Sequence, residues 1–216
     1  MVQIIQYLLG ALAPVATLFS PTPTTKQSGP FILSLVSNHT DIDGSFLYAC
    51  HTGAARNALC APSKCDVRYI LPSTFYFNTS RYFPMFYGEA EGYLTYNMKF
   101  YNDDQLISCP TTMSPETTEG YSHPEIFPSS NTTAGRFTFD KFDYLTRVET
   151  STWPILEDFN LDPTNDFALI RYQKWSICTE YSPSSTYTYR TLVWYDGVGS
   201  PDVGNCHNVR VKRTFI

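Results

Sequence analysis

W-S-I-C-T-E-Y (175–181), Y-R-T-L-V-W-Y-D-G (189–197) and N-C-H-N-V-R-V-K-R-T-F-I (205–216) are the segments on which the fold is decided. They read as three strands joined by turn residues. Cys178 lies in the first and Cys206 opens the last, so the two thiols are placed to cross-link the unit. The last run alternates, with Val209, Val211 and Phe215 on one face and Asn208, Arg210, Lys212 and Thr214 on the other. A Cys178–Cys206 bridge would contribute roughly 3.5 kcal/mol by restricting the unfolded chain. That is a large share of the roughly 5–15 kcal/mol by which a domain is stable.

Outward from this unit, no segment carries apolar residues at helical spacing for three turns, and turn signals recur at short intervals. The expectation is an all-β, single-domain antiparallel sandwich or barrel with long loops, stapled by disulfides, over residues 31–216. F-I-L-S-L-V-S (31–37) and S-F-L-Y-A-C-H (45–51) form an opening hairpin around N-H-T-D-I-D-G. C-H-T-G-A-A-R-N-A-L-C (50–60) reads as a helical turn pinned by Cys50 and Cys60. V-R-Y-I (67–70) and T-F-Y-F-N (74–78) read as strands. G-Y-L-T-Y-N-M-K-F-Y (92–101) alternates, and Q-L-I-S-C (105–109) returns beside it. Residues 110–135 show little periodicity and read as a surface excursion. R-F-T-F (136–139), Y-L-T-R-V-E-T (144–150) and F-A-L-I-R-Y (167–172) resume the strand pattern, on either side of a loop at 151–166.

The chain has 216 residues, 16% charged and 16% aromatic, with a formal net charge of −5. It can bury enough apolar surface to fold. A nucleic-acid role is disfavoured, because phosphate binding needs a basic face and no Lys/Arg cluster is visible. Residues 1–20 read as a secretory signal rather than a permanent anchor: the apolar run from Tyr7 to Phe19 is short and Pro14 interrupts it. No Lys or Arg precedes Lys26. Residues 21–30 read as a flexible leader, and no membrane segment is expected after signal removal. Export agrees with six cysteines, Cys50, Cys60, Cys65, Cys109, Cys178 and Cys206, which contain no C-x-x-C. Cys65 is matched with Cys109 in this reading, although six cysteines allow fifteen connectivities. Three N-x-S/T sequons, at Asn38, Asn78 and Asn131, point to a glycosylated surface.

The C-H-T-G-A-A element, W-S-I-C-T-E-Y, T-L-V-W-Y-D-G and N-C-H-N-V-R-V-K-R together resemble a group of small secreted ascomycete proteins, some labelled IgE-binding proteins. The likeness spans most of 31–216 and is sharpest at the two ends. It implies a secreted fungal β-protein with the Cys178–Cys206 bridge, and it assigns no catalytic residue. The aromatic middle and the Cys65/Cys109 positions look like departures.

Candidate chemistry is sparse. His51 and His207 each follow a cysteine and could meet as a proton-transfer or metal-binding pair; no third ligand is visible, so no metal and no cofactor is expected. E-D-F-N-L-D-P-T-N-D (157–166) begins like a calcium loop, but Pro163 stands where Gly is required. Q-K-W (173–175) occurs once, without the threefold repeat of a sugar-binding trefoil, so Trp175 is read as core. Glu89, Glu91, Asp158 and Glu180 offer carboxylates without a distinguishing arrangement. Phe75, Phe77, Leu94, Tyr96 and Phe100 are read as core. Tyr82, Phe83, Phe86 and Tyr87 fall in a loop-like stretch and, with His51 and His207, are the candidate ligand contacts. The function expected is surface binding to carbohydrate, cell wall or a host protein. The alternative is a small secretory-pathway enzyme, a cyclase or isomerase of an apolar small molecule held in an aromatic-lined pocket.

Overall fold

The computed structural model describes residues 25–63, 66, 68–80, 85–86, 89–99, 106–115, 121–128, 134–148, 174–181, 188–195 and 205–216. Fifteen strands lie among them. They are β1 (Thr25–Gln27), β2 (Phe31–Val36), β3 (Tyr48–Gly53), β4 (Arg56–Cys60) and β5 (Phe75–Ser80), then β6 (Met85–Phe86), β7 (Glu89–Ala90), β8 (Gly92–Lys99), β9 (Leu106–Pro115) and β10 (Tyr121–Ile126). The remainder are β11 (Phe137–Phe139), β12 (Leu145–Arg147), β13 (Trp175–Tyr181), β14 (Thr188–Tyr195) and β15 (Cys206–Phe215).

Every pairing is antiparallel, and eight strands close on themselves in the order β5-β2-β15-β13-β14-β10-β9-β8, with β8 pairing back onto β5. The all-β expectation therefore resolves to a barrel, which removes the free edges an open sheet would expose. The terminal unit is as expected: β13 pairs with β14 on one side and β15 on the other, and Cys178 stands opposite Cys206, to which it is bonded.

The hairpin β11–β12 crosses this ring. Phe137 pairs with Gly92 of β8, and Tyr144, just before β12, bridges Lys212 of β15. A strand with barrel on both sides should be buried on both faces, and Phe137, Thr138 and Phe139 all are. Phe139 meets Phe31 and Phe77 edge-on at 5.6 and 5.1 Å. Phe137 stacks on Trp175 at 6.4 Å, and Trp175 meets Trp194 at 4.8 Å. The Trp175 indole N–H donates to the Leu145 carbonyl at 2.9 Å, so this buried ring also satisfies its polar atom.

Several local expectations need correction. Residues 50–60 form the β3–β4 hairpin, not a helical turn, with Ala55 at φ 54° in the turn and Cys50 bonded to Cys60 across it. Isolated alanines suggested helix, but the cross-strand staple and pairing decide otherwise. Cys109 is a free, buried thiol in β9, so the expected Cys65–Cys109 bridge is not formed; Cys65 lies outside the described residues. Burial pushes the Cys109 thiol up, which makes it inert rather than reactive. Residues 68–70 belong to a turn, whose N–H groups at Tyr69 and Ile70 donate to the Asp66 carbonyl.

Part of the leader is also structured: Lys26 and Gln27 pair with Thr79 and Asn78 in β1–β5. The supposed excursion at 110–135 contributes most of β9 and all of β10, which pair over Ser122↔Pro115 to Ile126↔Thr111. Its inward side chains include Ser122 and Pro124 beside Ile126, so hydrophobic alternation is faint. Pro124, which cannot donate a ladder hydrogen bond, sits where the far edge of β10 changes partner from β14 (121–122) to β4 (125–126). The opening hairpin is partial: the Leu35 N–H donates to the Ser45 carbonyl and the Leu47 N–H to the Leu33 carbonyl, then the chain leaves to pair β3 with β4.

Candidate functional site

A polar constellation lies where the 37–44 turn meets β14 and β15. The turn is built locally. The Ile42 and Asp43 N–H groups donate to the His39 carbonyl, Gly44 takes φ +74°, and the Asp43 carboxylate accepts from the Ser37 N–H at 3.0 Å. Ile42 is fully buried and anchors the turn to the core. The Ser37 hydroxyl donates to the Asn208 carbonyl at 3.1 Å, fixing the turn against β15.

The register of β2 on β15 runs from Phe31↔Phe215 to Val36↔Arg210, and beyond its end the turn folds back so that position 39 stands by position 207, where an extension of the same register would also place it. The His39 and His207 rings lie 3.6 Å apart, centroid to centroid, tilted by 39°. Asp41 reaches His39 Nδ1 at 3.5 Å, and Arg190 of β14 reaches the other Asp41 oxygen at 3.3 Å. Arg190 also donates to the Pro62 carbonyl. Desolvation, His39 and Arg190 hold the His207 imidazole below the usual histidine range, against the opposing pull of Asp41. A backbone hydrogen bond, Arg190 and His39 lower the Asp41 carboxyl. The group is partly exposed, with His39 and Asp41 about half open to solvent. It can hold or move a proton at His207. No group of three or more metal-ligating side chains is found among the described residues.

The expected partner of His207 was His51. The structure gives His207 a different ring partner, His39, and places His51 on β3, opposite Asn57, where its carbonyl accepts from the Tyr189 hydroxyl at 3.0 Å. His39 is the middle residue of the Asn38 sequon, and only the fold of β2 and its turn against β15 connects it to His207. Of the loop aromatics, Tyr82, Phe83 and Tyr87 lie outside the described residues, and Phe86 is in β6 paired with Glu89. Phe75, Phe77 and Leu94 are core and Tyr96 packs against it, as expected; Phe100 lies outside. Asn38 is exposed at the start of the turn. Asn78 is half-buried in β5 between β1 and β8, with its Oδ1 enclosed, and Asn131 lies outside. The acidic 157–166 loop and the 167–172 run, with Asp158, also lie outside.

A second polar feature is Glu91, almost fully buried, with Arg136 at 3.3 Å. Burial raises its pKa against the opposing Arg136 charge. An ion pair of this kind, beside the junction of β8 and β11, reads as a structural one.

No protein-family model, no curated protein and no solved structure significantly matches the chain.

Proposed function

We propose that this is an exported, glycosylated binding module that acts through its outer surface on carbohydrate, cell wall or a host protein. The observation that supports it most is the packed interior. The aromatic rings that could have lined a central pocket are in contact with one another, and the β11–β12 hairpin runs among them. Apart from the buried Glu91–Arg136 pair, the charged side chains described above stand at the turn-bearing end and on the outer face. The two bridges, Cys50–Cys60 and Cys178–Cys206, suit an oxidising compartment. The likeness of both ends to small secreted ascomycete proteins points the same way. The test is a pull-down of the protein recovered from its native cell with insoluble wall polymers and soluble glycans. Retention on at least one, with the first twenty residues removed and Asn38 modified, is the expected result; retention on none of them, with no host protein bound either, overturns the reading.

A second reading, a small enzyme acting on an apolar metabolite, is favoured by the partly exposed His39–Asp41–His207 group. Under it, His39→Gln and His207→Gln would each abolish a metabolite conversion that the wild-type gene restores to a deletion strain.

A further inference from the structure

We propose that the outer face of β15, together with the 140–144 turn, binds an acidic polysaccharide of the polyuronate type. The proposal rests on the surface-binding reading and names its ligand class. Strand alternation turns Val209 and Val211 into the core and Arg210, Lys212 and Thr214 to solvent. Successive outward residues are then about 7 Å apart, at ~3.4 Å per residue. Tyr144 bridges Lys212, so its ring shares this face. The Arg210 guanidinium lies 4.4 Å from that ring's centre and the Lys212 ammonium 5.8 Å. Lys141 stands 5.1 Å over the ring of Phe142, a residue 61% exposed.

The carboxylates nearby are occupied otherwise. Asp140 accepts from the N–H groups of Phe142 and Tyr144, at 2.8 and 2.9 Å. Asp143 holds Arg213, whose guanidinium is also stacked over Phe139 at 4.0 Å and Phe215 at 4.7 Å. Arg213 is thereby an internal strut. Among the described residues, Arg210, Lys212 and Lys141 have ring faces beside them and no carboxylate. A ring face orients a cation without neutralising it, so three positive charges stay available on a chain of net charge −5.

The occupant follows from this chemistry. A row of fixed cations on one strand matches a linear polymer with an anion at each repeat, and the exposed Phe142 ring offers a flat apolar seat for a sugar ring. A nucleic acid duplex carries about one charge per 1.7 Å of its axis, far denser than outward residues ~7 Å apart can match.

The test uses the full, disulfide-intact secreted protein, titrated with polygalacturonate, with neutral dextran of equal length and with phosphatidylserine vesicles. Polygalacturonate should bind at least about tenfold more tightly than dextran and weaken as salt is raised. The double variant R210E/K212E should lose about tenfold or more, while K26E, on β1, should stay within about twofold of wild type. R210Q/K212Q keeps long side chains on the Tyr144 ring; it should lose binding with an unchanged melting curve, which covers the case in which the reversal does not fold. Equal binding to dextran, preference for the vesicles, or wild-type affinity in both double variants each overturns the proposal. Binding to neutral polymers or to a host protein alone leaves the surface-binding reading standing without it; binding to none of these removes both.

Discussion

Replacing Gly92 with alanine should destabilise the protein although it adds one methyl group. Gly92 opens β8 at the junction of three strands, opposite Thr79 of β5 and Phe137 of β11. A Cβ built there stands 2.5 Å from the Asn78 carbonyl oxygen and 2.9–3.0 Å from two ring carbons of Phe77. The carbonyl is the decisive obstacle. It belongs to a strand held on both edges, by Gln27↔Asn78 and Asn78↔Tyr93, so relief requires moving backbone. Overpacking of this kind costs about 1–3 kcal/mol. The stiffer unfolded chain returns ~0.4–1 kcal/mol, for a net loss of roughly 1–2 kcal/mol, or a drop of about 2–8 °C in Tm. Urea unfolding followed by Trp fluorescence measures it directly, since Trp175 and Trp194 both lie in the core. Gly29→Ala is the control: its Cβ would meet only Phe215 Cδ1 at 3.9 Å, and it should stay within about 0.5 kcal/mol of wild type. A Gly92→Ala protein as stable as Gly29→Ala would refute the three-strand junction.

Three further outcomes are expected. Replacing Cys178 and Cys206 with alanine should remove about 3.5 kcal/mol for a closure of sequence separation 28, read as a lower urea midpoint; loss under 1 kcal/mol would contradict it. The neutral imidazole of His207 is favoured in the folded state, so its contribution is complete above the ordinary histidine value of 6.5 and is lost as pH falls through the depressed folded value. Unfolding midpoints at pH 7 and pH 5 should therefore draw closer in His207→Gln than in wild type; an unchanged difference would discount the ring pair. Arg136→Met should cost about 3 kcal/mol at neutral pH, the low end for a buried pair because Arg136 is partly exposed, by leaving Glu91 buried without its cation. Burial already raises the Glu91 pKa above its ordinary 4.5, and losing Arg136 raises it further; the loss should therefore be largest at high pH and vanish as pH falls through the wild-type folded value, below which both folded proteins carry Glu91 protonated. A pH-independent loss would assign the effect to packing.

Strands with a period-2 contrast between bulky apolar and polar residues were legible: β2, β5, β8, β13, β14 and β15 all fall where alternation or β-branched content placed them. Strands whose inward side chains are small or polar were not. In β10 the buried positions are Ser122, Pro124 and Ile126, and in β9 Thr111 and Thr112 are buried, so composition argued for a loop. What holds them in the barrel is non-local pairing, and a window of neighbouring residues does not contain that information. Cys109 shows the same limit. Counting thiols suggests a third bridge, whereas its place in β9 opposite Tyr96 makes it a small apolar residue of the core.

The His39–His207 pair marks the boundary more sharply. Both histidines are visible in the sequence, yet 168 positions separate them and no motif joins them. The pairing of β2 with β15 supplies the missing relation, because a ladder that aligns Val36 with Arg210 aligns position 39 with 207 when it is continued. A slip of one residue would set Asn38 or Thr40 there instead, and would turn the Phe31, Leu33 and Leu35 side chains out of the core. The burial of those three residues therefore fixes the register, and the register fixes the pair. The same ladder holds Arg210 and Lys212 outward opposite Val36 and Ser34. The polar end of the barrel and its cationic face thus depend on one hydrophobic alternation in β2, and a polar substitution at Leu33 should disturb both at once.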